Sequence, residues 1–171
     1  HNGSVFVESR LGAGTKLTLT FPVIEKRLSD LEKKSFDMMN LHTGKRILVV
    51  EDECVISEVQ YRVLTESPCC HSVDIANNGR TAMELIRRNS YDLVSLDYVL
   101  PGKISGMDVY KHIRKHDPAV PVLFVSGNIE FIESLQSMTQ KDACLGHQSK
   151  PCKNADYLKT VNELLETSAK G

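Results

Sequence analysis

From Arg46 onward the chain repeats one pattern five times: a short aliphatic run, then a polar turn, then a segment whose apolar residues recur at helical spacing. "RILVV" (46–50) precedes a helix predicted to place Val55, Ile56, Val59 and Val63 on one face. "HSVDIA" (71–76) leads through Asn77-Asn78-Gly79 into a helix carrying Ala82, Leu85 and Ile86, and "DLVSL" (92–96) into one from about Gly106 to His116. "PVLFV" (121–125) is followed by Ile129, Ile132, Leu135 and Met138. A weak fifth run, "ACL" (143–145), precedes Leu158, Val161, Leu164 and Leu165. Strands that read as unbroken apolar runs are buried on both faces, which a parallel sheet covered by helices provides. The fold class is therefore α/β, a (βα)5 doubly wound parallel sheet. Sites in such sheets lie beyond the carboxyl ends of the strands.

The residues just past those ends are not apolar. Glu51-Asp52-Glu53 follows the first strand, Asp97 the third, Ser126 the fourth, and Lys150-Pro151 the fifth after a short loop. Right-handed crossovers gather these ends on one edge of the sheet. Three carboxylates held close together repel one another and call for a cation, and an all-oxygen donor set with room for water suits Mg2+. An aspartate beside a divalent ion and a lysine is an oxygen nucleophile matched to a phosphoryl group, because metal and ammonium spread the charge on the transferring oxygens. The product is an aspartyl phosphate. An acidic first loop speaks against a flavodoxin-type phosphate site, which needs donors there.

Two further zones lie upstream. Residues 1–23 read as a hairpin about Gly12-Ala13-Gly14-Thr15, with Val5 and Val7, then Leu17, Leu19 and Phe21, alternating with polar residues. That is the period of a half-buried pair of strands. A hairpin of this size is marginal alone, so it is expected to be the tail of a larger domain. Residues 24–45, rich in charge with Ile24, Leu28, Leu31, Phe36 and Met39 spaced apolar, are expected to form a helical linker. Residues 46–168 form the third zone.

The bulk numbers narrow the function. A formal net charge of −1 gives no electrostatic case for nucleic acid or an anionic membrane surface as partner. No apolar run reaches the length of a membrane span, and no secretory leader opens the sequence, so a cytoplasmic setting is expected. The cysteines, Cys54, Cys69, Cys70, Cys144 and Cys152, have no metal-ligand spacing and read as reduced thiols. Zinc at Cys69-Cys70-His71 would lack a second ligand pair.

Residues 46–168 resemble a response-regulator receiver domain, on the motifs "VVEDE", "SLDYVLPG", "VSG" and "SKP" in that order. By that resemblance the sheet is flavodoxin/receiver-like, Asp97 is the phosphoacceptor, and Glu51 and Asp52 are the acidic pair for Mg2+. The backbone carbonyl of Val99 completes the protein ligands, Ser126 is the switch hydroxyl, and Lys150 binds the phosphoryl group. "HNGSVFVESRLGAGTKLTLTFP" is similar to the last hairpin of a histidine-kinase ATPase domain. Together the two resemblances imply the C-terminal piece of a hybrid histidine kinase that lacks the kinase catalytic core. The implied partners are a histidine kinase or a histidine phosphotransfer domain, with a homodimer left open.

The sequence departs from the family pattern at several positions. Glu51 stands where Asp is commoner, and the loop from Pro101 to Gly106 is one residue longer than in compact receivers. His147 occupies the place of the usual switch tyrosine or phenylalanine, and Cys152 that of a bulky apolar residue. Val99, two residues beyond Asp97, cannot orient a water, which predicts slow hydrolysis of the phosphoryl group. Two other readings stay open at this point. One is a haloacid-dehalogenase-type hydrolase, which expects a carboxylate where Val99 stands; the other is a receiver fold that docks without being phosphorylated.

Overall fold

The computed structural model describes residues 4–12, 14–20, 41–139 and 142–168. Of the expected linker, 24–45, residues 24–40 lie outside the described residues, as does Phe21. The chain divides into two units, His1–Asn40 and Leu41–Gly171.

In the first unit β1 (Ser4–Arg10) pairs antiparallel with β2 (Gly14–Thr20). Gly12 and Gly14 adopt φ of 78° and 92°, a region open to glycine, and so turn the chain. The register sets Val5 opposite Leu19 and Val7 opposite Leu17, so the aliphatic residues share one face, as the alternation predicts. That face is exposed rather than half-buried: Val5, Val7, Leu17 and Leu19 all keep more than half of their surface open.

The second unit carries β3 (Arg46–Val50), α1 (Cys54–Thr65), β4 (Ser72–Ala76), α2 (Gly79–Arg88), β5 (Leu93–Leu96) and α3 (Gly106–His116). β6 (Val122–Ser126), α4 (Ile129–Thr139), β7 (Leu145–Ser149) and α5 (Asn154–Ser168) complete it. The strands form one parallel sheet in the order β4-β3-β5-β6-β7. Side chains alternate between its faces. Leu48, Val50, Val94, Leu96, Val122 and Phe124 join a core under α2, α3 and α4. Ile47, Val49, Leu93, Leu123 and Val125 meet Leu64 of α1 and Tyr157, Val161, Leu164 and Leu165 of α5 on the other. Both faces are thus covered, and strand order reverses between β3 and β5.

Three details differ from the expectations. Residues 41–45, expected as the end of the linker, belong to the receiver unit: the His42 N–H donates to Asn162 Oδ1 at 2.8 Å and the Gly44 N–H to the Cys69 carbonyl at 3.2 Å. The last strand is Leu145–Ser149 rather than 143–145, and Lys150 follows it directly. "LGHQS" has no apolar run to announce it; as an edge strand it is specified by parallel pairing along β6, from Val122↔Leu145 to Ser126↔Ser149. Its entry is fastened from α3, where Arg114 Nε and the Tyr110 hydroxyl both donate to Asp142 Oδ2, at 2.6 and 2.7 Å. Finally, the apolar face of α1 is only partly covered. Ser57, Gln60 and Leu64 are its buried residues, whereas Val55 and Val59 are exposed.

Candidate functional site

Each element delivers its polar residue to the C-terminal edge of the sheet. The Glu51 N–H donates to the Ala76 carbonyl and the Asp97 N–H to the Val50 carbonyl, both at 2.9 Å, so pairing continues one residue past each apolar run. The first residue outside the hydrophobic strand is thereby fixed at the crevice where strand order reverses. The Lys150 N–H donates to the Ser126 carbonyl at 2.9 Å, which locks the ends of β6 and β7 together.

The side chains converge as the strand ends imply. Lys150 Nζ donates to Glu51 Oε2 and to Asp97 Oδ2, 2.7 Å to each. Asp97 Oδ1 accepts the Val99 N–H at 3.1 Å, so both oxygens of this carboxylate are oriented. Glu51, Asp52 and Asp97 each place a carboxylate oxygen within 4.8 Å of the others. Glu51 is 1% exposed and Asp97 7%, while Asp52 is open to solvent. Ser126 is fully buried, and its Oγ accepts the Asn128 N–H at 3.1 Å.

The electrostatics follow from this packing. Burial raises the Glu51 carboxyl above the ordinary glutamate range, and the Lys150 ammonium pulls against that without reversing it. Burial alone would lower Lys150; its hydrogen bonds to Asp97 and Glu51 outweigh the burial and raise it. Lys150 is therefore a fixed cation, committed to two carboxylates that would otherwise face each other unscreened. Three hard oxygen donors of this kind fit a small divalent cation such as Mg2+.

His147 lies apart from this cluster, on β7 opposite Phe124 in the register. Cys69 is buried and Cys70 exposed, all five cysteines are free thiols, and the only group of three metal-binding side chains among the described residues is the carboxylate set. The sequence reading missed two features of the site. Gly106 packs directly on the Asp97 carbonyl, leaving no room for a Cβ, and its N–H donates to the Tyr98 carbonyl at 3.0 Å. Ser105 and Asp108 form a capping box that starts α3 just beyond, a signal legible as Ser-x-x-Asp. Within the longer loop, Gly102 takes a φ of 92°. A groove of about 580 Å³ also opens beside Asp97, walled by Val55, Ile56 and Val59 of α1 and by Pro151 and Cys152.

A doubly wound sheet whose switch point carries an acidic cluster, a buried hydroxyl and a lysine defines a class of signalling domain rather than a metabolic flavoprotein. Residues 47–162, more than half of the chain, match the response regulator receiver domain, and the chain belongs to that family, part of two-component signal transduction. Among curated proteins it is similar to the sensor kinase CckA of Brucella abortus, 29% identical over 173 residues that cover 96% of this chain and 18% of that protein. It is also 36% identical over 93 residues to the transcriptional regulatory protein DltR of Streptococcus agalactiae, covering 54% of this chain and 40% of that one. The chain thus spans less than half the length of these relatives. A CheY-like receiver domain protein from Methanospirillum hungatei superposes with a TM-score of 0.65 at 25% identity, over 74% of this chain and 97% of that one. TrrA of Thermotoga maritima, solved with Mg2+ and BeF, gives 0.61 at 30% identity over 70% and 98%.

Proposed function

We propose that this receiver takes a phosphoryl group from a phosphohistidine onto Asp97, with Mg2+ held by Glu51, Asp52, Asp97 and the backbone carbonyl of Val99. One observation carries the reading: Lys150 Nζ sits 2.7 Å from Asp97 Oδ2, in the same cluster as the two acidic neighbours. In the transfer an Asp97 carboxylate oxygen bonds to phosphorus as the nitrogen–phosphorus bond of the donor breaks, and the leaving imidazole keeps the bonding pair and takes up a proton. Mg2+, when bound, neutralises charge on the phosphoryl oxygens. Lys150 moves its ammonium from the carboxylates to a phosphoryl oxygen, and the Ser126 hydroxyl donates a hydrogen bond to another. The Val99 N–H holds the second Asp97 oxygen in line throughout.

The groove along α1 gives the donor a place to lie. Its apolar wall runs up to Asp97, so a protein covering Val55 and Val59 would bring its imidazole to the carboxylate while excluding water. The donor is then a histidine kinase or a histidine phosphotransfer domain. Origin in a hybrid kinase is supported by the similarity to a sensor kinase across nearly the whole chain, hairpin included. On this reading residues 1–23 end a kinase ATPase domain, 24–40 form the linker to the receiver unit, and the signalling takes place in the cytoplasm. Among the described residues no helix is long and apolar enough to cross a membrane.

The test is incubation with acetyl phosphate, or with beryllofluoride, in the presence of Mg2+. With acetyl phosphate the wild type gains the mass of one phosphoryl group, with beryllofluoride its spectra change, and Asp97→Asn shows neither. If the wild type does not respond at millimolar donor, the protein is a receiver fold that regulates by docking alone.

A further inference from the structure

Two side-chain routes leave the site and end on the same residue. One starts at Asp97, whose neighbour Tyr98 lays its ring on Phe131 of α4, 3.6 Å between centroids and 13° between planes. The other starts at Ser126: its Oγ accepts the Asn128 N–H, and Asn128 Oδ1 accepts the Phe131 N–H at 2.9 Å, capping the first turn of α4. Phe131 is thus tied to the site by its ring through Asp97 and by its backbone through Ser126. Beyond it the contacts continue inward. Phe131 meets Phe124 edge-on at 5.1 Å, Phe124 lies 5.7 Å from Tyr110, and the Tyr110 hydroxyl holds Asp142 at the entry to β7. His147, where the family pattern places an aromatic switch, makes no ring contact and no side-chain hydrogen bond among the described residues.

Resting on the phosphoacceptor reading above, we propose that Phe131 is the positioning residue through which a phosphoryl group on Asp97 moves α4, in the place that His147 leaves vacant. The Ser126 oxygen now serves the α4 cap as an acceptor. Rotating the Ser126 side chain so that its hydroxyl donates to a phosphoryl oxygen carries the Oγ away from the Asn128 N–H and loosens the cap. The same event redraws the backbone that carries Tyr98, one bond from the modified aspartate. Both changes reach Phe131 together. Phe131 is 7% exposed, its ring wedged between Tyr98 and Phe124, and in a close-packed interior such a ring shifts only with its neighbours and its helix.

The experiment is amide and aromatic NMR of the full chain with Mg2+, before and after beryllofluoride. In the wild type, Asn128, Phe131 and the α4 amides from Ile132 to Leu135 shift, together with the Tyr98 and Phe131 rings. In Phe131→Leu, which keeps an apolar side chain of similar size, beryllofluoride still saturates and the Asn128 amide still shifts. The movements from Ile132 onward, however, fall several-fold. Tyr98→Leu behaves in the same way, Tyr98→Phe restores the wild-type response by restoring the stack, and His147→Ala leaves it intact. A full α4 response in both leucine variants, or its loss in His147→Ala, overturns the proposal. Absence of beryllofluoride binding in the wild type overturns the phosphoacceptor reading itself, which separates the two failures.

Discussion

On the phosphoacceptor reading, Lys150 is the residue on which the empty and loaded states of the site turn. Its ammonium neutralises Glu51 and Asp97 together, at 2.7 Å from each, and so competes with any cation for those same oxygens. Lys150→Ala should therefore bind Mg2+ more tightly than the wild type in a titration, yet take up phosphoryl from acetyl phosphate about 10²-fold more slowly, the usual cost of losing one preorganised charge partner. Unchanged uptake would remove Lys150 from the mechanism. On the same reading, Val99 bears on the reverse reaction. Its side chain is 61% exposed beside Asp97 and offers a hydrolytic water no hydrogen bond. The phosphoryl group should persist for minutes or longer in Mg2+, and a measured lifetime of a few seconds would refute this. Glu51, Asp52, Asp97 and Ser126 were legible as polar residues at the sheet edge because each follows or closes an apolar strand, and Lys150 was legible from its Ser-Lys-Pro motif although the strand before it is polar. Gly106 was not legible: its requirement arises from a backbone carbonyl nine positions away, against which any Cβ would fall.

At the scale of the elements, α1 has two kinds of face. Leu64 anchors it to the core beneath, while Val55 and Val59 remain open along the groove that leads to Asp97. Valines left in water contribute little to folding, so Val55→Ser with Val59→Ser should change stability by no more than about 0.5 kcal/mol per site in urea titrations. The same pair should slow transfer from a phosphohistidine protein about tenfold, equivalent to about 1.4 kcal/mol of lost contact, and leave acetyl phosphate uptake untouched. Equal slowing with both donors would mean that the valines serve the site and not a partner. Helical periodicity revealed the valine stripe but not which part of it is covered. Periodicity measures whether apolar residues share a face; only the packing of α5 and the sheet decides how much of that face is buried. The same limit explains β7, whose polar sequence pairs because β6 offers it an edge.

At the scale of the whole domain, the edge of the sheet opposite the site is held by a buried histidine. His71 Nδ1 accepts the Lys45 N–H at 3.2 Å, which requires that nitrogen to be unprotonated. Burial lowers the His71 imidazole from the usual 6.5; Asp92 opposes the drop, and His42 and Lys45 add to it. A histidine depressed in the folded state stays neutral there while the unfolded chain binds the proton, so its contribution is full above about pH 6.5 and is lost as pH falls toward the folded value. Melting temperature should decline from pH 7 to pH 5, and His71→Gln, which keeps an acceptor, should flatten the decline. What slope remains then combines His112, which burial lowers in the same direction, with Glu51, whose raised carboxyl acts in the opposite sense. Profiles that superpose would exclude His71 as the source. This contact, like Lys150 reaching Asp97 across 53 residues and Glu51 across 99, is invisible to local pattern. The sequence by itself determined the alternation of strand and helix, hence the doubly wound sheet and the list of polar residues at its edge, because periodicity and strand ends are local properties. Tertiary structure alone decided which of those residues touch, that Glu51 is buried while Asp52 is open, and that Phe131 receives both routes from the site, because these depend on how distant segments pack.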